Sequence, residues 1–299
     1  MMSEESAGDA SKAPRLSVVI PVYNEEAAIK DVIEGIHSAG IKTAFEVIVV
    51  DDGSTDRTPE ILAAENKAGR LRLVPKERNQ GYGAALKAGI HAARADRIMI
   101  LDGDGTYPLI HFNEFYELSD QYEMVVGTRS GPVVDEPRLR GLVKGLVRRL
   151  LKFLAGLDVP DLNSGLRIFR KSTVQRYMNI LPDGLSFTST LTLIILSEGF
   201  PVKYVPINYH ARKGHSKFHP VTDTLNLLIL VMRTILYFNP LKIFIPLSLF
   251  LALVALALAL FSIFYIGKFM DVTTVVIFLA ALQVFILGLL ADLITKVRK

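Results

Sequence analysis

The chain has 299 residues and contains neither cysteine nor tryptophan. The lack of cysteine excludes disulfide bonds and thiolate metal sites, and it fits a reducing compartment. The opening stretch MMSEESAGDASKAPR has no apolar core and so lacks the pattern of a signal peptide, and we expect residues 1–14 to be a disordered lead-in. The net charge of +4 is too small to indicate a nucleic-acid partner, so clusters of charge are more informative than the total.

Long uncharged runs are missing from the first two thirds of the chain and are concentrated near its end. Ile243–Ile266 contains no charged residue, and Val272–Ile294 contains only Asp292. A helix of such length covers about 35 Å, enough to cross a hydrocarbon core of about 30 Å. A pair of buried core helices is the alternative, but uncharged runs beyond about 18 residues are uncommon in soluble folds. We predict a transmembrane hairpin over residues 242–299.

The charges that flank this hairpin predict its orientation. Only Lys268 lies at the turn, whereas five cations flank the open side: Arg233, Lys242, Lys296, Arg298 and Lys299. The positive-inside rule therefore places both termini, and residues 1–220 with them, in the cytosol. We expect an integral membrane protein, in the plasma membrane of a prokaryote rather than in the endoplasmic reticulum.

The region before the hairpin alternates short apolar strands with helical stretches. Strands are predicted at Leu16–Pro21, Phe45–Val50, Leu71–Pro75 and Arg97–Leu101, and helices at Glu25–Ala39, Thr58–Ala68 and Gly83–Arg94. Strands rich in β-branched residues that alternate with helices predict an α/β domain over residues 15–220, with a mostly parallel, Rossmann-like sheet covered on both faces. Ligands of such sheets bind beyond the carboxyl ends of the strands.

Polar residues follow three of these predicted strands. The segments are PVYNEE (21–26), DDGSTD (51–56) and DGDG (102–105). Each segment alone could be structural, because Asn24 and Ser54 could cap helices and the glycines could make turns. All three at one edge of a sheet indicate a cleft with an aromatic ring, two carboxylate pairs and flexible glycines.

Three common ligand-binding motifs are excluded by their spacing. An EF-hand that began at Asp102 would need glycine and glutamate where the chain has Tyr107 and Asn113. No GxGxxG follows the first strand, which argues against a dinucleotide site. The P-loop lysine pattern is also missing from the sequence.

The segments SVVIPVYNEE, VIVVDDGSTDRT, RNQGYGAALKAGI and LDGDGTYP, in this order and spacing, resemble the motifs of family 2 glycosyltransferases with the A-type fold. The stretches DLNSGLRIFRK (161–171) and ARKGHSKF (211–218) are also similar to that family. Together with the hairpin, they resemble the polyprenyl-phosphate glycosyltransferases, such as dolichyl-phosphate mannose synthases and their bacterial undecaprenyl-phosphate relatives. The resemblance implies inverting transfer of a sugar from a UDP- or GDP-linked donor to a polyprenyl phosphate at the cytosolic membrane face.

This resemblance implies roles on the donor side. Asp102 and Asp104 match the family's metal-binding acidic motif, which implies Mg²⁺ or Mn²⁺ between these carboxylates and the donor diphosphate. Thr106 stands where the mannose synthases carry a glutamine that assists the metal, so it is expected as a further ligand. The positions implied for nucleotide-sugar binding are Pro21, Tyr23, Glu25, Asp51, Asp52, Gly81, Asp102, Gly103, Asp104, Arg212 and Lys217. The last two lie in a loop that either clamps the diphosphate or is a solvated basic segment attracted to lipid headgroups.

On the acceptor side, residues 138–154 have basic residues every fourth position, typical of a membrane-interface helix or of a core helix with a solvated face. The resemblance implies that Arg129, Arg140 and Ser164 hold the acceptor phosphate, although Lys144 stands where the family often has a serine. It implies a base or orienting role for Asp161, with capping of the following turn as the alternative. The expected catalytic residues are therefore Asp104, Asp161 and Arg129, and residues 221–241 are predicted to form a second interface helix.

Other functions stay open. The chain could be a membrane-anchored family 2 transferase that acts on another lipid or glycan acceptor, or a non-catalytic nucleotide-sugar-binding membrane protein; the intact Asp102 and Asp104 disfavour the second. A processive polysaccharide synthase is disfavoured because those relatives carry a Gln-x-x-Arg-Trp motif and this chain has no tryptophan. Association of several hairpins into a homo-oligomer is a further expectation that the sequence leaves open.

Overall fold

The structure, a computed structural model, describes residues 13–130, 159–162, 164–208, 236, 240–266 and 272–297. The chain divides into two compact units. The first comprises Met1–Glu136 with Pro160–His219, and the second comprises Pro137–Val159 with Pro220–Lys299. Each unit is described by itself below.

The first unit alternates strands and helices. Its strands are β1 (Leu16–Val22), β2 (Phe45–Asp51), β3 (Arg72–Pro75), β4 (Arg97–Ile100), β5 (Met124–Ser130), β6 (Arg167–Arg170) and β7 (Val202–Asn208). Its helices are α1 (Ile29–Ser38), α2 (Thr58–Lys67), α3 (Tyr82–Ala92), α4 (Phe112–Leu118), α5 (Lys171–Gln175) and α6 (Phe187–Ser197), with a 3₁₀ turn at Leu109–His111. The strands predicted from the sequence are confirmed to within one residue at each end.

The seven strands form one mixed sheet in the order β3-β2-β1-β4-β6-β5-β7. Its pairs are parallel except for β6, which runs antiparallel to both β4 and β5. The predicted mostly parallel sheet is therefore confirmed. Because β1, β2 and β4 are parallel neighbours, their carboxyl ends lie at one edge of the sheet.

The core is built on the central strand β1, whose seven residues are all buried. The residues on one of its faces, Leu16, Val18 and Ile20, join a cluster with the apolar side of α1. The opposite face meets α3 at Gly89, where an added Cβ would lie 2.3 Å from Cγ1 of Val19. A larger side chain at Gly89 would therefore push α3 off the sheet. Burial on both faces explains why the run of residues 18–22 is continuously apolar instead of alternating.

Helix α1 begins four residues later than its helical spacing predicts. The pattern predicted a helix from Glu25, but the first helical residue is Ile29. Asn24 has a φ of 57°, in the left-handed region that cannot continue into a right-handed helix. The residues between form a loop whose Glu25 and Glu26 bond to residues 56–58, at the beginning of α2, and these tertiary bonds override the local pattern.

The second unit contains a helical hairpin. Helix α7 (Leu241–Phe261) continues into a π-helical turn at Ser262–Ile266, and α8 (Val272–Val297) follows. The most apolar 18-residue windows have a mean hydropathy of 2.8 and 2.6, and only 11% and 17% of these windows are buried within the described chain. Such exposure is unlike that of the core helices of a soluble domain, which bury their apolar side chains. The hairpin has the length and composition of two membrane-crossing helices.

The two helices meet along small residues spaced by seven. The residues buried in the described hairpin are Ser248, Ala255 and Ser262 from the first half and Thr274, Ala281 and Gly288 from the second. At Gly288 an added Cβ would lie 2.5 Å from Cβ of Phe244, so the backbones approach closely. A seven-residue repeat keeps one face of each helix toward its partner, and small residues there permit close packing in lipid.

This packing makes a prediction for the hairpin. Replacing Ala255 by Leu should force the helices apart and lower the free energy of unfolding by about 1–3 kcal/mol, the usual cost of overpacking. The same enlargement at the exposed Ala257 is the matched control and should change little. Thermal unfolding in detergent micelles measures both variants, and equal effects from the two would contradict a buried seam.

Candidate active site

Three polar loops converge at the carboxyl edge of the sheet. Val22 pairs with Asp51 at the ends of β1 and β2. On the other side of β1, the Leu101 N–H donates to the Val19 carbonyl, so β4 ends beside β1 as well. The segments 21–26, 51–56 and 102–105 therefore come together, as the parallel-sheet prediction required.

Asn24 joins the first two of these loops. It is the only non-glycine residue with a positive φ among the described residues. Its backbone N–H donates to Ser54 Oγ at 3.0 Å, and its side-chain oxygen accepts from the Thr55 N–H at 2.8 Å. Asparagine tolerates this conformation better than most residues because its short amide bonds locally. The side chain therefore acts as a clasp between the loops.

Further bonds extend this clasp. The Glu25 N–H donates to Thr58 Oγ1 at 3.0 Å, and Glu26 Oε2 accepts from the Arg57 N–H at 2.9 Å. The predicted nucleotide contacts Tyr23 and Glu25 are half-buried within the clasp, and Pro21 is buried in β1. The two loops consequently form one rigid wall at the sheet edge.

The clasp predicts a stability difference between two variants. Asn24→Ala should lower the free energy of unfolding by about 2 kcal/mol, because it loses a hydrogen bond and places alanine in the left-handed region. Asn24→Gly loses the same side-chain hydrogen bond but adopts that φ freely, so it should be the milder change. Denaturant unfolding of both proteins measures the difference. An alanine variant as stable as the glycine variant would remove the strain argument.

Asp51 and Asp52 are both buried and bonded to the protein. Asp51 Oδ1 accepts from the Ser54 N–H at 3.0 Å. Asp52 accepts from the Gly81 N–H at 2.8 Å and pairs with Lys76 Nζ at 3.1 Å, so it holds the loop between β3 and α3. Contacts of these carboxylates with a nucleotide remain predictions.

Gly81 needs to be glycine for two reasons. Its φ is 106°, and an added Cβ would lie 2.5 Å from the Asp183 carbonyl oxygen. Gly103 is also confined, since its Cβ would lie 3.1 Å from Cγ2 of Val22. Both glycines lie at the sheet edge, where the predicted nucleotide site requires close backbone approach.

The acidic pair follows β4. Asp102 Oδ1 accepts from the Tyr82 hydroxyl at 2.7 Å. Asp104 Oδ1 accepts from the N–H and the hydroxyl of Thr106, at 3.1 and 2.6 Å. Burial raises the pKa of Asp102 to about 6, assisted by the charge of Asp104, while Arg129 and Arg167 act in the opposite direction. Two neighbouring carboxylates repel each other, and a cation bound between them relieves that repulsion. The pair is therefore a good cation site.

Gly165 lies directly against Asp102 of this pair. An added Cβ on Gly165 would lie 2.2 Å from Asp102 Oδ2, so only glycine leaves the carboxylate in place. The Gly165 N–H donates to the Tyr107 hydroxyl at 2.6 Å. Among the described residues, the buried Ser164 hydroxyl has no hydrogen-bond partner, which suits a group that bonds to a ligand.

Arg167 is a site-supporting residue that the sequence reasoning missed. It is fully buried, and it donates to the Thr188 carbonyl at 2.8 Å, to Thr192 Oγ1 at 2.7 Å and to the Ser164 carbonyl. Burial lowers the pKa of its guanidinium. The signal in the sequence was an arginine inside the apolar stretch LRIF, since fully buried arginines are rare without a specific partner. Arg167 therefore links Ser164 to α6.

The predicted catalytic residues Arg129 and Asp161 contact each other. The guanidinium Nε lies 2.8 Å from Asp161 Oδ2, and Nη2 lies 2.9 Å from Oδ1. This bidentate geometry fixes the plane of the guanidinium. A carboxylate held in this way is better suited to orienting Arg129 than to accepting a proton.

Comparison with protein families assigns both parts of the chain. Residues 17–178, just over half of the chain, match the profile of glycosyl transferase family 2. The chain belongs to glycosyl transferase family 2. Residues 239–297 of this family 2 protein match the GtrB C-terminal hairpin. The resemblance drawn from the motifs and the hairpin is thereby confirmed.

The relatives of this family 2 chain include lipid-linked sugar transferases. It is 35% identical to the dolichyl-phosphate hexose transferase of Haloferax volcanii, over 69% of this chain and 87% of that protein. It is 32% identical to the undecaprenyl-phosphate 4-deoxy-4-formamido-L-arabinose transferase of Pseudomonas aeruginosa, over 83% and 72%. Glycosyltransferase AglD of Haloferax volcanii is 32% identical over 73% of this chain, but the chain spans only 36% of AglD.

A solved structure shares the fold. Glucosyl-3-phosphoglycerate synthase from Mycobacterium tuberculosis, in complex with Mg²⁺ and UDP, superposes with a TM-score of 0.60. It is 22% identical and covers 74% of this chain and 79% of its own. At this identity the likeness shows the fold, which confirms the A-type glycosyltransferase architecture.

The acidic pair of the family 2 domain fits a divalent cation of the Mg²⁺ type. Within the described residues, no group of three or more His, Asp or Glu side chains could hold a metal by itself. Mg²⁺ is commonly held by one or two carboxylates, with substrate phosphates and waters completing the shell. Asp102 and Asp104 supply that number of hard oxygen donors. The Thr106 hydroxyl donates to Asp104, so direct ligation by Thr106 remains a prediction.

Three of the predicted site residues fall outside the described part of the chain. Arg140, Arg212 and Lys217 lie outside the described residues, as do the basic stretch 138–154, residues 1–12 of the lead-in and most of the predicted interface helix 221–241. Their roles stay predictions from the sequence.

Proposed function

We propose that this family 2 protein transfers a sugar from a UDP- or GDP-linked donor to a polyprenyl phosphate at the cytosolic face of a membrane, with inversion at the anomeric carbon. The observation that carries the proposal is the joining of two charged pairs at one sheet edge. The acidic pair Asp102–Asp104 and the ion pair Arg129–Asp161 are close enough for the charge of Arg129 to act on Asp102. One pair suits a cation with a diphosphate and the other suits an anionic acceptor.

On the donor side, Asp102 and Asp104 would hold Mg²⁺ or Mn²⁺, and Thr106 would contribute through its hydroxyl bond to Asp104 rather than as a third direct ligand. The cation would supply Lewis-acid stabilisation of the charge that develops on the leaving diphosphate. The clasped loops with Pro21, Tyr23, Glu25 and Asp51 would bind the nucleoside. Arg212 and Lys217 would contribute positive charge toward the diphosphate.

On the acceptor side, the chemistry needs orientation more than proton removal. A phosphate monoester has a second pKa of about 6, so it is largely ionised at neutral pH and already nucleophilic. Arg129, oriented by Asp161, would bind that phosphate bidentately, with Arg140 as a second cation and the Ser164 hydroxyl as a donor. In-line attack from this position would invert the anomeric carbon.

The cellular setting is part of the proposal. The hairpin and the positive charges at its open side support an integral membrane protein whose catalytic domain is cytosolic, where nucleotide sugars are found. We propose the plasma membrane of a prokaryote as its location. We also propose that several hairpins can associate there into a homo-oligomer. Two relatives named for dolichyl and undecaprenyl phosphate substrates support a polyprenyl phosphate acceptor.

The experiment uses the full chain purified in detergent with Mn²⁺, polyprenyl phosphate and a panel of radiolabelled UDP- and GDP-sugars. We expect label in the lipid phase with at least one donor and none when EDTA is present. A parallel thermal-shift screen should show stabilisation by the productive nucleotide, because a ligand that binds only the folded state raises the midpoint. Absence of labelled lipid with every donor would overturn the proposal.

A further inference from the structure

Tyr82 connects two carboxylates across the sheet edge. It is the first residue of α3, and its hydroxyl donates to Asp102 Oδ1 at 2.7 Å. The preceding residue, Gly81, donates its N–H to Asp52 Oδ2 at 2.8 Å. Asp52 follows β2 and Asp102 follows β4, with β1 between them. The dipeptide Gly81–Tyr82 therefore connects Asp52, a predicted nucleotide-binding residue, with Asp102 of the acidic pair.

The amino end of α3 is held firmly in place. The Ala84 N–H donates to the Asp183 carbonyl at 3.0 Å, and Lys87 Nζ pairs with the Asp183 carboxylate at 2.7 Å. Gly83 lies so close to the Pro182 carbonyl that an added Cβ would be 2.2 Å from its oxygen. The tyrosine hydroxyl is thus presented to Asp102 from a backbone with little freedom.

Asp104 receives a matching hydroxyl. The fully buried Thr106 donates its hydroxyl hydrogen to Asp104 Oδ1 at 2.6 Å. Each aspartate of the pair thus has its Oδ1 bonded to a neutral hydroxyl. A donor of this kind fixes the plane of a carboxylate without neutralising its charge, so the pair keeps its attraction for a cation.

We propose that Tyr82 and Thr106 are positioning residues that orient Asp102 and Asp104 for a divalent cation bound with a diphosphate. The inference rests on the cation role in the proposed function. Groups that hydrogen-bond to ligating carboxylates fix their orientation, and their loss typically weakens metal binding about 10- to 100-fold. Asp52 holds the loop between β3 and α3 at Gly81, and the next residue, Tyr82, holds the Asp102 carboxylate. The positions of this loop and of the Asp102 carboxylate are therefore coupled.

The test is Mn²⁺ binding, measured by electron paramagnetic resonance of free Mn²⁺ in the presence of UDP or GDP and without acceptor. Tyr82→Phe and Thr106→Val each remove one hydroxyl with little change in shape, and each should weaken Mn²⁺ binding about tenfold. Thr106→Ser keeps the hydroxyl and should bind Mn²⁺ like the unchanged protein. Tyr116→Phe is the matched control, because Tyr116 packs against the core from α4 and is distant in sequence from the pair.

The same variants should need more Mn²⁺ for half-maximal transfer while the KM for polyprenyl phosphate stays unchanged, a split that general destabilisation would not give. Normal Mn²⁺ affinity in folded Tyr82→Phe and Thr106→Val would overturn the inference. If Tyr82→Phe does not fold, the valine and serine variants at position 106 decide the outcome. Failure of the proposed function has a different signature, namely Mn²⁺ binding without any sugar transfer.

Discussion

Replacing Asp104 by Asn should lower kcat about a thousandfold and leave the fold intact. The change removes one of the two carboxylate charges that would hold the cation. Lewis-acid stabilisation of a leaving phosphate is worth several kcal/mol. A loss of about 4 kcal/mol in transition-state stabilisation lowers the rate by a factor of roughly 10³. An asparagine side-chain oxygen can still accept the hydroxyl hydrogen of Thr106, so the loop should keep its shape. Steady-state transfer rates with saturating Mn²⁺ measure the effect.

The matched control is Asp120→Asn. Asp120 follows α4, is exposed and pairs at 3.1 Å with Arg97, the first residue of β4, so this change also removes a carboxylate charge but at the opposite end of β4 from the acidic pair. It should retain normal transfer. A rate for Asp104→Asn close to that of the control would contradict the cation site at the acidic pair.

Replacing Gly165 by Ala should reduce transfer about a hundredfold, because a displacement of about 1 Å at a reacting site can cost that much. The new Cβ would lie 2.2 Å from Asp102 Oδ2 and 2.6 Å from its Cγ, so the carboxylate has to move. The backbone does not require glycine there, since the φ of Gly165 is not in the left-handed region. The three atoms nearest to the added Cβ all belong to the Asp102 side chain, so the substitution should displace that carboxylate in particular. Transfer rate and Mn²⁺ affinity measure the effect.

The control for this variant is Gly184→Ala. Gly184 is exposed and also outside the left-handed region, and an added Cβ there would meet nothing within 4 Å. Its transfer rate should match that of the unchanged protein. Full activity and normal Mn²⁺ affinity in Gly165→Ala would mean that the position of the Asp102 carboxylate does not matter for the reaction.

The sequence predicts the sheet well because its central strands have a strong and unambiguous pattern. The runs of residues 18–22 in β1 and 47–50 in β2 are continuously apolar and buried, as burial on both faces of the sheet requires. The start of α1 could not be predicted, because helical spacing continues through Glu25 while the hydrogen bonds of Asn24 to the next loop prevent a helix there. Local periodicity reports on packing and does not report such long-range bonds.

In the candidate site, too, some contacts could be predicted from the sequence and others could not. Asp102 and Asp104 are separated by one residue and directly follow a strand, so their meeting could be predicted. The hydroxyl of Tyr82 reaches Asp102 across 20 residues, and Arg167 reaches Thr188 across 21, so these contacts need the tertiary fold. The pairing of Arg129 with Asp161 also joins distant segments. Sequence identifies the residues that carry charge, whereas the structure identifies those that orient them.

The most direct test of the account compares two acceptors that differ only in the phosphate. The full chain with Mn²⁺ and its productive nucleotide sugar is incubated with polyprenyl phosphate or with the corresponding polyprenol, and the lipids are analysed by mass spectrometry. The account predicts a lipid heavier by one sugar residue, linked through the phosphate, from polyprenyl phosphate and no product from the alcohol. Glycosylation of the polyprenol, or no lipid product from polyprenyl phosphate with any donor, would contradict it.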